Sequence, residues 1–411
     1  MPRNSPLAAT ALSRRRVLAL SALTVASSFE LVHAAAPATA SVVSDSPQVS
    51  RRLTLPEPTG SERLGTVSLH LVDPTRRDPW VPSHPKREIM VQIWYPAEDT
   101  EEYLSAPWLS PGAVPHFEQA WGIPAGSVRL PTTGARTGAP VKHGRPRPVV
   151  LYSPGYGLDR NASTSLVEEL VSHGYIVVAI DHTYDASEVE FPGGRVLTAT
   201  LPADPDDRLV VEELGVREAD VLFTLDQLTT LNAGGNPDAE HRPLPRGLRG
   251  AFDLDRIGMF GHSLGGTTAA VMHDDPRVRA GVNMDGPFVG TAAPAGSDRP
   301  FLLLSSDHAD PFAGWDTFWA DQRGWKLELR LKGSTHGSFT DGEVLVPQLA
   351  AVLGLTPGEV VYQIGTGEPQ RSIRVQRAYI RAFFDAQLCH RGGGGLLRAP
   401  SPRYPEMQFV R

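Results

Sequence analysis

The chain has 411 residues, of which 41% are hydrophobic and 21% charged, the balance of a globular protein with a substantial core. Its net charge of −7 is spread along the chain, and no cluster of Lys and Arg marks a nucleic-acid surface. Cys389 is the only cysteine, which excludes an internal disulfide and leaves stability to packing.

Residues 1–40 have the layout of a twin-arginine export signal. Arg14, Arg15 and Arg16 precede an apolar run from Val17 to Val32, and small residues around Ala34 and Ala40 offer cleavage points. The run is short for a membrane span and contains Glu30, so a cleaved signal and a secreted product are expected. Residues 41–62, rich in Ser, Pro and Thr, read as a disordered lead-in. A single domain is expected over 63–390, followed by a tail over 391–411.

Two alternating runs, Gly65–Val72 and Arg87–Tyr95, predict the first strands, with Pro96 stopping the second. The irregular stretch 97–147 reads as a surface insertion carrying three exposed anchors, Trp108, Phe117 and Trp121; a lid and a decorating loop fit it equally. From Pro148 the pattern changes. Strand-like runs Val149–Tyr152, Tyr175–Ile180, Arg256–Phe260, Val278–Asn283, Phe301–Leu304 and Trp325–Leu331 take turns with helical segments near 161–173, 210–231 and 371–388. Such a pattern predicts an α/β fold with a mostly parallel central sheet and helices on both faces.

Gly261, His262, Ser263, Leu264 and Gly265 lie between a predicted strand and a helix-like run. Five letters of this kind recur by chance in a chain with 39 glycines; the strand–turn–helix setting is what a nucleophile elbow requires. A serine hydroxyl needs a base to take its proton. Of the 13 histidines, His262 adjoins Ser263 and should point away from it, and several others precede the parallel core. His336 lies in a glycine-flanked loop after the strand ending at Leu331, where a base reaching the sheet's C-terminal edge belongs; His308 is its rival. Two acids end strands between Ser263 and His336, Asp285 and Asp310, the latter with Asp307 as a neighbour, and spacing does not choose between them. The oxyanion of an acyl-transfer intermediate needs backbone N–H donors, for which Leu264 and Tyr156, in the glycine-containing loop Tyr152–Gly157, are the candidates. No metal or cofactor is expected; Asp181 beside His182 does not make a metal site, and no glycine-rich phosphate loop occurs.

Ile93–Pro96, Tyr152–Gly157, Gly261–Gly266, Asn283–Asp285 and Gly333–His336 come in the order seen in secreted platelet-activating factor acetylhydrolases, and over about residues 63–390 the chain resembles that α/β-hydrolase family. The resemblance implies Ser263, Asp285 and His336 as catalytic residues, the backbones of Tyr156 and Leu264 as oxyanion donors, and removal of short acyl groups such as the sn-2 acetyl of an ether phospholipid. The loop Ser153–Tyr156 departs from the mammalian members, which carry a histidine before the glycine. It is closer to bacterial lipases and cutinases, whose acid follows the later strand where Asp310 lies. The expected partner is thus a small-molecule or lipid ester, with transient contact with a lipid interface and no protein or nucleic-acid partner. A lipase or cutinase-like polyester hydrolase is the alternative enzyme, and a non-catalytic ligand-binding hydrolase scaffold the alternative of another class.

Overall fold

The computed structural model describes residues 51–288, 297–307, 312, 314–392 and 395–411. The export signal, residues 41–50 of the lead-in, His308 and Asp310 lie outside the described residues.

Strand β1 is Arg51–Arg52, and strands β2 (Arg63–Asp73) and β3 (Arg87–Ala97) form an antiparallel pair. Strand β4 (Ser105–Pro107), helix α1 (Val114–Ala120), and strands β5 (Val128–Arg129) and β6 (Thr132–Thr137) follow. The parallel core starts with β7 (Arg147–Ser153), α2 (Thr164–Ser172) and β8 (Ile176–Asp181). A small antiparallel ribbon, β9 (Glu188–Phe191) and β10 (Arg195–Thr198), leads into the long α3 (Asp207–Asn232). Then come β11 (Phe252–His262), α4 (Leu264–Val271), β12 (Val278–Met284), β13 (Phe301–Ser305), α5 (Trp315–Asp321) and β14 (Lys326–Leu331). Helices α6 (Gly342–Leu353), α7 (Pro357–Ile364) and α8 (Pro369–Cys389) and the short β15 (Met407–Phe409) complete the order.

Among the described residues the main sheet runs β15-β14-β13-β12-β11-β7-β8-β3-β2-β6-β4. The six central strands from β14 to β8 are mutually parallel. Helices of the βα crossovers lie on both faces of the sheet, which explains the unbroken apolar runs in β7 and β8. Alternate residues of a strand face opposite sides: Val150, Tyr152, Val177 and Ala179 join a core covered by α2 and α8, whereas Val149, Leu151, Ile176 and Ile180 join one covered by α3 and α4.

Four expectations are corrected. Pro96 does not stop β3, which continues to Ala97. Residues 51–62 are not a loose lead-in: β1 pairs with β5, and Leu53 is fully buried against Trp108, Val128 and Leu349. The stretch 97–147 is more than an insertion, because β4 and β6 extend the main sheet; Trp108 and Phe117 are buried rather than exposed. The tail, too, is part of the domain: β15 adds an antiparallel edge strand to β14, and Arg411 pairs with Glu328. In each case a pairing between segments far apart in sequence overrides a local composition that suits loops. Leu53→Ala tests the first segment: replacing a buried leucine should destabilise the fold by about 2–5 kcal/mol, read as a lower urea midpoint, whereas a loosely attached lead-in would leave the midpoint unchanged.

Candidate active site

The candidate residues converge because β7, β11, β12, β13 and β14 all point their C-terminal ends to one side, where α/β sheets place their ligands. Strand β11 ends at His262 and α4 begins at Leu264, so Ser263 alone makes the turn, at φ 54° and ψ −125°. A non-glycine residue held at positive φ is strained, and the neighbouring glycines make the turn possible. A Cβ on Gly261 would come within 2.1 Å of the Gly265 carbonyl group, and one on Gly265 within 2.0 Å of the Ser153 carbonyl oxygen. The Ser263 amide is anchored by donation to the Met284 carbonyl at 2.9 Å.

His336 and Asp285 meet beside this turn, His336 Nδ1 lying 2.7 Å from Asp285 Oδ2. Asp285 is fully buried and itself has a positive φ of 59°. The neighbouring Asn283 brackets its turn, accepting from the Gly286 N–H at 2.7 Å and donating to the Gly286 carbonyl at 2.8 Å. Ser306 secures the carboxylate with its N–H at 2.6 Å and its hydroxyl at 3.0 Å. Burial raises the Asp285 pKa, but the hydrogen bond and charge of His336, followed by the Ser306 donors, outweigh it and leave the carboxyl below its usual range. With Asp285 on Nδ1, the tautomer is fixed and Nε2 is free to act as a base.

The loop carrying His336 is held from two sides. Gly333 N–H donates to Asp307 at 2.8 Å, and Thr335 Oγ1 and Ser338 Oγ donate to the carbonyls of Gln363 and Ile364 at the end of α7. The His262 side chain packs against the loop of His336. Its ring lies 4.5 Å from the His336 ring, and its Nε2 donates to the His336 carbonyl at 3.1 Å. Burial and the nearby His336 push its pKa down to about 3, so it is neutral at ordinary pH.

Ser263, His336, His262 and Tyr156 all line one cavity of about 270 Å³. Trp108, Phe117 and Trp121 supply an aromatic wall, and Leu345 and Ile364 further apolar surface. The stretch 97–147 therefore contributes to the site as the lid reading expects, but as a packed wall. Neither Tyr156 N–H nor Leu264 N–H has a hydrogen-bond partner among the described residues. Of the sequence candidates, Ser263, Tyr156, Leu264, Asp285 and His336 come together, while Asp310 and His308 lie outside the described residues. Ser306 is a supporting residue that no motif marks, its only signal being a polar residue at a strand's C-terminal end; Asn283 and Asp307 figure in the sequence only beside the candidate acids, without the supporting roles the structure gives them.

Two measurements test this geometry. Asp285→Asn should lower kcat for p-nitrophenyl acetate by about 10³–10⁴-fold, while Asp310→Asn leaves it within a few-fold; the reverse order would transfer the acid's role to Asp310. His262 binds its proton more weakly folded than unfolded, so its contribution to stability is lost as pH falls from 6.5 towards about 3. Against wild type, His262→Asn should show a shallower fall in Tm between pH 7 and pH 4, and identical slopes would refute a neutral buried His262.

Comparison with protein families matches residues 77–388 to platelet-activating factor acetylhydrolase, isoform II. A probable 1-alkyl-2-acetylglycerophosphocholine esterase of Arthroderma benhamiae is 29% identical, over 87% of this chain and 93% of its own. The platelet-activating factor acetylhydrolase of Cavia porcellus is 25% identical, over 67% of this chain and 69% of its own. Among solved structures, a ferulic acid esterase from Streptomyces cinnamoneus superposes with a TM-score of 0.71 and 36% identity, covering 87% of this chain and 99% of that one. The parallel sheet with its helices is the α/β-hydrolase fold, and the chain belongs to the platelet-activating factor acetylhydrolase isoform II family of carboxylic ester hydrolases.

Proposed function

We propose that this protein is a secreted serine esterase that removes short acyl groups through an acyl-enzyme. The observation that carries the reading is the Asp285–His336 pair, 2.7 Å apart, opening with Ser263 onto one apolar cavity. His336 Nε2 takes the Ser263 hydroxyl proton as Oγ attacks the ester carbonyl, and Asp285 stabilises the imidazolium that forms. The N–H groups of Tyr156 and Leu264 receive the oxyanion, and the start of α4 adds its positive dipole end. His336 then protonates the departing alkoxide, and water, activated by the same imidazole, releases the acyl group. Export rests on the arginines and apolar run of residues 14–32.

The cavity's electrostatics bear on the substrate. Asp159, Asp185, Glu188 and Asp341 contribute to its described lining, which includes no lysine or arginine. Burial pushes Asp159 up to about 7, Glu188 to about 8 and Asp341 to about 6, so these carboxyls carry less negative charge near pH 7 than exposed ones would. An uncharged acyl group fits such walls, and a phosphate has no cation there to meet it. In an acetyl ether phospholipid, the substrate class named for the family, the acetyl would enter and the phosphate stay at the rim.

A second reading, hydrolysis of aromatic acyl esters, is favoured by the wall of Trp108, Phe117 and Trp121 and by the likeness to the ferulic acid esterase. Rates on phosphatidylcholines with sn-2 chains from acetyl to palmitoyl, set beside methyl ferulate, separate the possibilities. A steep preference for acetyl is expected. A flat or rising profile would make the enzyme a lipase or cutinase, and faster cleavage of methyl ferulate would establish the aromatic reading. A fluorophosphonate should label wild type and not Ser263→Ala; a folded wild type that stays unlabelled would refute the serine mechanism.

A further inference from the structure

The loop Ser153–Gly157 must present one N–H to the cavity while its other polar groups are satisfied elsewhere. Arg217, on α3, is fully buried and lies beneath this loop. Its Nη1 donates to the Pro154 carbonyl at 2.6 Å and to Ser153 Oγ at 3.3 Å. Nη2 donates to the Gly155 carbonyl at 3.1 Å and to Asp185, and Nε donates to Glu213 at 3.3 Å. Asp185 in turn accepts the Gly157 N–H at 2.8 Å.

Peptide planarity converts these bonds into a direction. In a trans peptide the C=O and the following N–H point to opposite sides. With the Gly155 carbonyl fixed on Arg217, the Tyr156 N–H faces away from Arg217. The elbow lies across the loop: a Cβ on Gly155 would lie 3.1 Å from His262 Nδ1 and 3.3 Å from Ser263 Cβ. The next peptide is turned over, because Asp185 draws the Gly157 N–H inward. Tyr156 N–H is thus the donor left unpaired between two anchored peptides.

The anchor is itself fixed by a buried chain of hydrogen bonds. His182 Nε2 lies 3.0 Å from Ser153 Oγ, and His182 Nδ1 lies 3.1 Å from Asp220 Oδ2. Asp220 also receives Arg87 at 2.8 Å. Burial and the charge of Arg217 hold the His182 pKa low, so the ring is neutral. Its Nδ1–H therefore donates to Asp220, and Nε2 accepts the Ser153 hydroxyl proton, leaving Ser153 Oγ to accept from Arg217. Ser153, His182 and Asp220 copy the order of a catalytic triad, but at 0–1% exposure no substrate reaches them.

We propose that Arg217 is a positioning residue of the reaction: by gripping the Pro154 and Gly155 carbonyls, with Asp185 holding Gly157 N–H, it aims Tyr156 N–H at the oxyanion. The inference rests on the serine-esterase reading given above. A guanidinium is required, since a lysine ammonium is a point donor and does not span two carbonyls and a carboxylate.

The test compares the full-length wild type with Arg217→Lys, Arg217→Gln and Asp185→Asn, using p-nitrophenyl acetate hydrolysis and inhibition by a trifluoromethyl ketone, whose serine adduct carries the oxyanion. Both Arg217 variants should lose about 10–100-fold in kcat with KM within about 3-fold, and lose ketone affinity by the same factor. A folded variant with wild-type kcat, or with lowered kcat but unchanged ketone affinity, would overturn the proposal. Should the Arg217 variants fail to fold, Asp185→Asn decides. It keeps an oxygen for Gly157 N–H while weakening the hold on Arg217, and about 10-fold losses in kcat and ketone affinity are expected, unchanged values being contrary. Wild type that does not react with a fluorophosphonate would remove the serine reading and this inference with it; labelled wild type beside unaffected variants removes the inference alone.

Discussion

The site depends on how closely two pieces of backbone approach each other. The first turn of α4 lies against the loop that ends β7, and a side chain at residue 265 would run into the Ser153 and Pro154 carbonyls. On the other flank, a Cβ on Gly266 would meet Asn283 Oδ1 at 2.3 Å, and one on Gly286 would meet the Ser263 carbonyl oxygen at 2.1 Å. Three turns, after β7, β11 and β12, are thus interlocked around Ser263, the Asn283 side chain packed between the last two. Strain at Ser263 and at Asp285 is tolerated because neither turn can relax without displacing the other two. The geometry around Ser263 is set here by glycine, before any polar side chain is considered.

Charge is sorted around that frame by hydrogen bonding. Asp285 and Glu188 are both buried carboxyls at one end of the sheet. Ser306 and His336 supply donors to the first and keep it ionised, whereas burial and its acidic neighbour Asp159 push the second up to about 8. The same dielectric therefore yields a fixed anion behind the histidine and, at Glu188, a protonated carboxyl in the cavity wall. Environments that drive like groups apart in this way are how one fold accommodates opposite roles.

Much of this was legible in the sequence, for identifiable reasons. The parallel strands are short runs of β-branched and apolar residues buried on both faces, so β7, β8 and β12 announce themselves locally. The elbow carries its own signature in Gly261, Ser263 and Gly265, and chain order brings His336 to the sheet's C-terminal edge. Spacing alone does not choose the acid because Asp285 and Asp310 both follow strands; the family resemblance points to Asp285, and the path of the turn after β12, bracketed by Asn283 and Ser306, carries it to the ring. Leu53, Trp108 and Met407 escaped a local reading because their partners lie far away along the chain. The contact of His262 with His336 was not legible, because alternation along β11 sets which face a side chain leaves from, and not what it meets beyond the sheet.

The aromatic wall enters the fold between β3 and β7, in a segment that contributes none of the five reacting or oxyanion positions. A hydrogen bond from Trp108 Nε1 to Asp341 Oδ2 at 3.0 Å, five residues beyond His336, ties it to the histidine side. Residues such as Trp121 and Ala120 face the cavity without touching the triad, on a stretch anchored at both ends by sheet pairing. Selection for a new acyl group has a part of the chain on which to act independently of the catalytic residues, and members of one family can diverge in substrate while their chemistry stays the same.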